Sequence, residues 1–409
     1  QKLFITLLMF LCTHIAISQS NDIDHDKIKE DLNEILSDLS RSYVYLKDKN
    51  VNIDCIRTHY ESQIPSIETE EQVVLFFEYL LDEFYDSHLI LNTNRASSFR
   101  LFSPIYASIQ QEKVLISSVW QNQIENLDQN IVGAEILKIN KIDLNSAIEQ
   151  FPTHCSDKAS HKVREWIANK VLAGRYNQPR VLTLKLKNGE LTELDLSQLK
   201  IKQHSTLLTT SIKDNIGIIT IQNSLGNNSL IGEFDDALDE LMDTKGLIID
   251  LRNTVDGGNS YVARGIMGRF ISEPKPYQKH LRDEQYGEGP AIERSWIEYV
   301  SPRRERYEGK VVVLVGRWTG SMGEGLAIGF EGMERAIIVG TEMERLAGEM
   351  SGFSFRHQNF GYRLSTARLF HVNGTPREKY VPENYVKQTT IKKDEALEKG
   401  LEILKRDTK

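Results

Sequence analysis

The sequence predicts an α/β protein whose carboxyl-terminal half is built around a buried and largely parallel sheet. Unbroken apolar runs at 216–222, 246–252 and 310–315 are typical of strands covered on both faces. Amphipathic segments separate these runs, and this alternation favours βαβ units. A length of 409 residues is enough for two or three domains, and the rest of the chain shows two further segments of different character.

Residues 1–18 have the features of a secretory signal peptide. A lysine precedes an apolar stretch over 3–12, and Ala16 and Ser18 supply small residues before a cleavage site. The apolar stretch is too short to be a good membrane span. A buried helix is one alternative, and Cys12 leaves a lipoprotein signal as another. We therefore expect an exported protein, periplasmic or extracellular, with no integral membrane span after signal removal.

Charge and composition argue against two classes of ligand. The chain has 50 Lys and Arg against 58 Asp and Glu, a net charge of −8, so we expect no nucleic-acid partner. It contains no CxxC or HExxH motif and its histidines are scattered, so we expect no metal ion and no cofactor. Cys55 and Cys155 remain after signal removal, and they could either pair or be buried separately.

Residues 19–99 are predicted to form a helical amino-terminal segment. Apolar residues recur at helical spacing over 28–39. A second apolar stretch follows Thr69 and Gln72, whose spacing matches a capping box. This predicted helix is rich in aromatic residues and ends just before His88.

Residues 100–203 change to a β-rich pattern that indicates a compact binding module. Apolar runs at 114–119 and 133–140 predict strands, and 143–151 has the pattern of a short helix. Two alternating runs around an Asn-Gly pair within 179–196 predict a hairpin.

Residues 204–409 carry the βαβ pattern together with one polar, charged insert at 272–309. The insert contains Trp296 and several arginines. We expect a solvated loop there, with a lid over a cleft as the alternative.

The segment GRWTGSMGEG at 316–325 places a single serine among glycines, directly after an apolar run. Gly320 and Gly323 allow close approach of the backbone to Ser321. The helix that is predicted to follow would offer free N–H groups and a partial positive charge, which suit a developing oxyanion. The alternative is that Ser321 only caps this helix.

A second glycine turn, with Gly257 and Gly258, follows the strand predicted at 246–252. In an open sheet both turns can face one crevice. A glycine N–H from this turn and the Met322 N–H would then form an oxyanion hole with two donors. A loop that merely requires positive φ angles is the alternative.

A serine hydroxyl is a poor nucleophile until a base removes its proton. Among the histidines, His88 is a candidate for this base, although spacing alone does not distinguish it from a structural histidine.

Three segments together resemble the tricorn-core and C-terminal-processing serine peptidases, a family that also includes the interphotoreceptor retinoid-binding-protein repeats. They are DSHLIL (86–91), LIIDLRNTVDGGNS (247–260) and RWTGSMGEG (317–325). The resemblance implies a crotonase/ClpP-like peptidase core at 204–409 and a PDZ-like module at 100–203. The module lacks a clear GLGF-type carboxylate-binding loop, which leaves a purely structural clamp as the alternative to a peptide-binding role.

The resemblance also implies roles for particular residues. Ser321 would be the nucleophile and His88 the general base. In the tricorn branch an adjacent serine, here Ser87, links the histidine to a glutamate, for which NGTPREKYVPE (373–383) offers Glu378. Other glutamates compete for this last role, namely Glu324, Glu344 and Glu383. The oxyanion donors would be Gly257 or Gly258, with Met322.

The bacterial C-terminal-processing branch uses a Ser–Lys pair instead. The stretch that would carry the lysine is GTEMERLAGEM (340–350), which contains none. This absence assigns the base role to His88.

The sequence therefore predicts an exported serine endopeptidase that hydrolyses peptide bonds through an acyl-enzyme, with peptides or proteins as its partners. One alternative is an inactive ligand-binding protein on the same fold. Another is an α/β-hydrolase esterase, which would need His357 or His371 as its base because these histidines follow the serine.

Overall fold

The computed structural model describes residues 23–406, so the predicted signal segment lies outside the described residues. Helices α1 to α10 lie at His25–Ser42, Leu46–Lys49, Ile53–Gln63, Glu70–Asp82, Leu144–Glu149, His161–Ala173, Leu230–Asp239, Ser260–Met267, Met322–Gly332 and Glu395–Arg406. Strands β1 to β17 lie at Ile90–Leu91, Ile105–Gln110, Lys113–Val119, Glu135–Ile139, Ile142–Asp143, Val181–Lys185, Leu191–Asp195, Leu208–Lys213, Ile216–Ile221, Gly246–Asp250, Lys275–Glu284, Ile292–Val300, Lys310–Val315, Ile337–Gly340, Glu349–Ser354, Gly361–Phe370 and Asn384–Tyr385.

Helices α1 to α4 form the predicted amino-terminal segment. The capping box of α4 is present, because Thr69 Oγ1 accepts from the Gln72 N–H and the Gln72 side chain accepts from the Thr69 N–H. The apolar faces of these helices pack together and against strands from the other end of the chain. The ring centroids of Phe77 and Phe355, for example, are 4.2 Å apart. The helical segment therefore shares a hydrophobic cluster with these strands and is packed onto the carboxyl-terminal half of the protein.

The β-rich module is an antiparallel sheet with the order β2-β3-β4-β6-β7, to which β5 adds beside β4. The predicted hairpin is confirmed as β6 and β7, and Gly189 has φ +87° in its turn. Helix α5 occupies most of the stretch predicted to be a short helix. Helix α6 lies against β2, with which Asn169 exchanges hydrogen bonds.

The central sheet has the order β17-β14-β13-β10-β9-β8, and all its pairs are parallel except β8 with β9. Helices α7, α8 and α9 contribute apolar side chains to one face of this sheet. Helix α10 covers the other face with Leu401 and Leu404. The sheet is thus buried on both sides, as the unbroken apolar runs predict.

The prediction of a solvated loop at 272–309 is wrong. Strands β11 and β12 form a long antiparallel hairpin within it, paired from Lys275 with Val300 to Glu284 with Ile292. Strand β16 extends this hairpin into a third sheet with the order β1-β16-β11-β12, and β15 also pairs with β16. Most of β12 is exposed. An exposed strand needs few apolar residues, so the composition of β12 did not indicate a strand.

Cys55 and Cys155 form a disulfide that spans 100 residues of sequence. Of the two possibilities that the sequence leaves open, pairing is the one found. The bond joins α3 of the helical segment to the chain that follows α5 in the module.

Replacing both cysteines, as Cys55→Ala with Cys155→Ala, should lower the free energy of unfolding by about 2–4 kcal/mol, because the unfolded chain loses a long covalent loop. A guanidinium titration of the oxidised wild type, the reduced wild type and the double variant measures this. Reduction should lower the midpoint of the wild type and leave that of the variant unchanged. Identical midpoints for all three proteins would contradict a stabilising bond.

Candidate active site

Ser321 lies between the end of β13 and the start of α9 in a strained backbone conformation. Its φ is 48° and its ψ is −109°. A side chain at positive φ costs about 1–3 kcal/mol and persists only where the surrounding structure enforces it. Ser321 occupies the N-cap position of α9, yet its side chain makes no capping hydrogen bond. The hydroxyl therefore does not serve as the cap of the helix that it precedes.

The two glycine turns lie against each other. Thr254 and Thr319 form a parallel β-bridge, and the Gly320 N–H donates to Thr254 O at 3.2 Å. Gly257 has φ +65°, and a Cβ added to it would lie 2.4 Å from Ser321 Cβ and 3.0 Å from Met322 N. Only a glycine leaves room for Ser321 at this position.

Gly258 contacts a different part of the chain. A Cβ on Gly258 would lie 2.1 Å from the carbonyl carbon of Leu225, and its three nearest atoms all belong to that residue. Of the two glycines that the sequence proposes as oxyanion donors, Gly257 is the one in contact with the serine turn.

Gly257→Ala should reduce kcat/KM for peptide hydrolysis by at least about 100-fold, the usual cost of disturbing one oxyanion donor. The added methyl group would force apart the two turns that contain Gly257 and Ser321. Gly232→Ala is a matched control, because a Cβ there meets no atom within 4 Å. Equal activity of the Gly257 and Gly232 variants would contradict a role for this turn in the reaction.

His88 is buried just after α4, with 3% of its surface exposed. Its backbone N–H donates to Asp86 Oδ1 at 2.9 Å, and its Nδ1 is 2.9 Å from the carbonyl oxygen of Ala347. That carbonyl can only accept, so Nδ1 carries the proton and Nε2 keeps a free lone pair. Burial, with help from Arg377, lowers the pKa of His88 to about 4. The ring is therefore neutral at physiological pH.

The loop that contains Ala347 connects His88 to the turn that carries Ser321. The Glu344 N–H donates to Thr319 O in the serine turn at 3.1 Å, and Ala347, three residues later, accepts from His88. No hydrogen bond joins Ser321 to His88, since His88 Nε2 is buried without a partner.

Asp86 is a residue of the site that the sequence did not single out. Its Oδ2 accepts from Tyr43 OH at 2.5 Å and lies 3.5 Å from Lys49 Nζ. Burial opposes its ionisation, but Lys49 and the hydrogen bond from Tyr43 lower its pKa overall. An anchored carboxylate therefore holds the backbone of His88. In the sequence, the feature that could have identified Asp86 is its position two residues before His88 in DSHLIL.

Ser87 and Glu378 line a common cleft of about 530 Å³, together with residues of the helical segment, the module and the core. Ser87 Oγ accepts from Trp166 Nε1 at 3.1 Å, and Glu378 Oε2 accepts from Tyr45 OH at 3.4 Å. No hydrogen bond joins Ser87 to His88 or to Glu378 among these described residues. The cleft brings the two predicted residues near each other without linking them directly.

The competing glutamates have different surroundings. Glu324 is fully buried; its Oε1 accepts from the Arg345 N–H at 2.6 Å and its Oε2 lies 3.7 Å from Arg377 Nε. Burial raises the pKa of Glu324 to about 7. Arg377 in turn donates to carbonyls on either side of Ala347, so Glu324 connects α9 to the loop that holds His88. Glu383 is exposed.

The histidines required by the α/β-hydrolase interpretation lie elsewhere. His357 Nε2 bonds Glu30 at 2.7 Å on helix α1. His371 Nε2 is 3.3 Å from Glu331, and its ring stacks on Tyr380. Neither of them bonds Ser321.

The edge strand of the module is already occupied along its free side. The Ala107 N–H donates to Asn169 Oδ1 at 2.9 Å and the Ile109 N–H donates to Glu165 Oε2 at 3.1 Å. PDZ domains bind peptides by adding a strand to such an edge. Helix α6 would have to release these two donors before a peptide could pair with β2.

Residues 23–406 contain no helix long and apolar enough to cross a membrane. Within the same residues, no group of three or more His, Cys, Asp and Glu side chains is placed to hold a metal ion.

Comparisons with known proteins agree with this architecture. The family model for peptidase family S41 matches residues 215–386, and the model for the tricorn protease C1 domain matches residues 24–82. A search of curated protein sequences finds no significant match. These two matches cover the central sheet and the helical segment, in the order that the sequence motifs predict.

Two solved structures share the fold. Mature CPAF complexed with lactacystin aligns with a TM-score of 0.61 and 13% identity, covering 93% of this chain and 97% of that one. The photosystem II D1 C-terminal processing protease aligns with a TM-score of 0.55 and 13% identity, covering 88% and 93%. The predicted fold class, a crotonase-like core with a helical segment and a PDZ-like module, is confirmed. The chain is a serine peptidase, and its residues 215–386 match peptidase family S41.

Proposed function

We propose that this protein is an exported endopeptidase that cleaves peptide bonds through an acyl-enzyme on Ser321, with His88 as the base. The observation that carries the proposal is the conformation of Ser321. A serine held at positive φ, without a capping bond and packed against Gly257, is a costly arrangement for a structural turn. Strain of this kind is typical of residues that are presented for chemistry.

In the first step, Ser321 Oγ attacks the scissile carbonyl while His88 Nε2 takes the hydroxyl proton. His88 then gives this proton to the amine that leaves, and the acyl group remains on Ser321. A water molecule, deprotonated by the same nitrogen, attacks the ester and releases the acid. Nε2 is the atom suited to these transfers because the Ala347 carbonyl occupies Nδ1.

The negative oxygen of each tetrahedral intermediate needs donors that are in place beforehand. The proposed donors are the Met322 N–H and an N–H of the facing glycine turn, Gly257 or Gly258, because a Cβ on Gly257 would lie 3.0 Å from Met322 N. In this structure the Gly257 N–H donates to Thr254 O at 2.9 Å, so it would have to leave that carbonyl to serve the oxyanion. Met322 is also the first residue of α9, where the helix dipole favours negative charge.

Ser87 and Glu378 are proposed to support His88 in a tricorn-like arrangement once substrate fills the cleft. Both side chains already line it. Their present partners, Trp166 and Tyr45, hold them by single hydrogen bonds that a bound peptide could replace. Asp86 meanwhile fixes the backbone of His88.

Export to an oxidising compartment is part of the proposal. The bond between Cys55 and Cys155 supports it, because such disulfides persist mainly outside the cytoplasm. The signal-like pattern at 1–18 points to the same route.

The proposal is tested by incubating the oxidised protein with an unfolded protein such as carboxymethylated casein and sequencing the products by mass spectrometry. Internal cleavage that is absent with Ser321→Ala is the expected result. Products trimmed only at their carboxyl ends would replace the endopeptidase assignment with a carboxypeptidase. No cleavage by a folded wild type that also resists acylating inhibitors would favour the ligand-binding alternative.

A further inference from the structure

Glu344 packs directly against the serine turn. A Cβ on Gly320, the residue before Ser321, would lie 2.3 Å from Glu344 Oε2. The backbone of Glu344 is bonded to the same turn through Thr319. Glu344 also lines the cleft of about 530 Å³. Glu344 therefore belongs both to the wall of this cleft and to the packing around the turn that carries Ser321.

This carboxylate has no positive partner. Its Oε2 is enclosed and accepts no hydrogen bond. Burial, followed by the charges of Glu324 and Asp256, raises the pKa of Glu344 well above its usual value. Both of these neighbours are acidic, so they add to the negative potential around Glu344 instead of balancing it.

Five of the cations that line this cleft are already paired with other acids. Arg317 and Arg345 both face Glu342, at 3.6 and 3.5 Å. The remaining pairs are Lys49 with Asp86, Lys170 with Asp82, and Arg368 with Asp48. Lys162 and Lys379 also line the cleft, and among the described residues no ion pair joins either of them to Glu344.

A buried carboxylate without a partner is unfavourable. A cation that reaches it supplies the opposite charge and the hydrogen bonds that the carboxylate lacks. Resting on the proposed function, we propose that Glu344 selects substrates with a lysine or arginine at the residue that supplies the scissile carbonyl. The cation of that side chain pairs with the Glu344 carboxylate beside Ser321.

The walls of the cleft suit such a side chain. Phe102, Tyr106 and Trp318 are among its lining residues. A long basic side chain can lay its aliphatic stem on apolar and aromatic surface while its charged end reaches a carboxylate. An uncharged side chain of equal length would make the same apolar contacts but would leave Glu344 without an opposite charge.

The test compares two internally quenched peptides that differ only in lysine or norleucine at this position, with the cleaved bond located by mass spectrometry. We expect kcat/KM for the lysine peptide to be about 10- to 100-fold higher, the range for a hydrogen-bonded charge in a desolvated site. Glu344→Gln should bring the ratio close to one by slowing only the lysine peptide. Its melting temperature should be no lower than that of the wild type, because glutamine keeps the size of the side chain and removes a buried acid that has no ionic partner.

Glu349→Gln is the matched control. Glu349 lies on β15, shortly after Glu344, and its exposed side chain bonds His280 outside the cleft. The lysine-to-norleucine ratio should be unchanged in this variant.

Labelling with a fluorophosphonate separates the two ways in which the test can fail. If Ser321 is labelled and both peptides are cleaved equally by the wild type, the selection by Glu344 is wrong and the proposed function stands. If Ser321 is not labelled and neither peptide is cleaved, the proposed function fails and this inference fails with it.

Discussion

Ser321→Ala is expected to lower kcat for peptide hydrolysis by about 10⁴- to 10⁶-fold, the loss found when the nucleophile of a serine peptidase is removed. The proposed acyl-enzyme cannot form without Oγ, so only the oxyanion donors and substrate binding remain. A steady-state assay with a quenched peptide measures the loss.

The fold of this variant should be intact. Ser321 makes no capping hydrogen bond, and alanine keeps the same Cβ, so the melting temperature should stay close to that of the wild type. Ser229→Ala is a suitable control, because Ser229 also occupies the N-cap position of a helix and makes no side-chain capping bond. Substantial activity in folded Ser321→Ala would mean that another residue attacks the substrate.

His88→Gln is expected to cause a loss of similar size, about 10⁴-fold or more, because base and nucleophile act as a unit. Glutamine is the informative replacement, since its amide can still donate to Ala347 O and keep the loop in place. The expected result is a large fall in kcat in a protein that remains folded.

The pH profile of the wild type distinguishes His88 from an ordinary surface histidine. Burial lowers its pKa from 6.5 to about 4, so the neutral base is present well below neutral pH. Activity should therefore persist on acidification and fall only as the pH approaches about 4. An acid limb centred near 6.5 would contradict this assignment of the base.

The lowered pKa of His88 also makes the stability of the fold depend on pH. A histidine whose pKa is depressed in the folded state stabilises the fold above its unfolded pKa, and this contribution is lost as the pH falls from 6.5 towards about 4. The wild type should therefore lose stability relative to His88→Gln over that interval.

Much of the fold follows from periodicity along the chain. Continuous apolar strands predict a sheet covered on both faces, and the spacing of Thr69 and Gln72 predicts the start of α4. These signals are local, so a single sequence is enough to find them. The hairpin of β11 and β12 was missed because β12 is mostly exposed and lacks the apolar alternation that marks a half-buried strand, while half of the residues of β11 are charged.

The candidate site could be predicted only in part, since its geometry joins residues far apart in sequence. The glycine pattern identifies Ser321 and the turn at 257–258, but it does not separate Gly257, which touches Ser321, from Gly258, which touches Leu225. Partners of His88 come from the loop at 344–348 and from Arg377, and no local pattern connects them. The pairing of Cys55 with Cys155 is another long-range fact of this kind.

In the proposed mechanism, the turn at Ser321 presents a nucleophile that His88 activates. This is measured by treating the oxidised protein with a fluorophosphonate and locating the adduct by intact mass and peptide mapping, beside Ser321→Ala and His88→Gln. We expect one adduct, on Ser321, that is absent from the first variant and formed far more slowly in the second. An unlabelled but folded wild type, or labelling of Ser321 at an equal rate without His88, would contradict it.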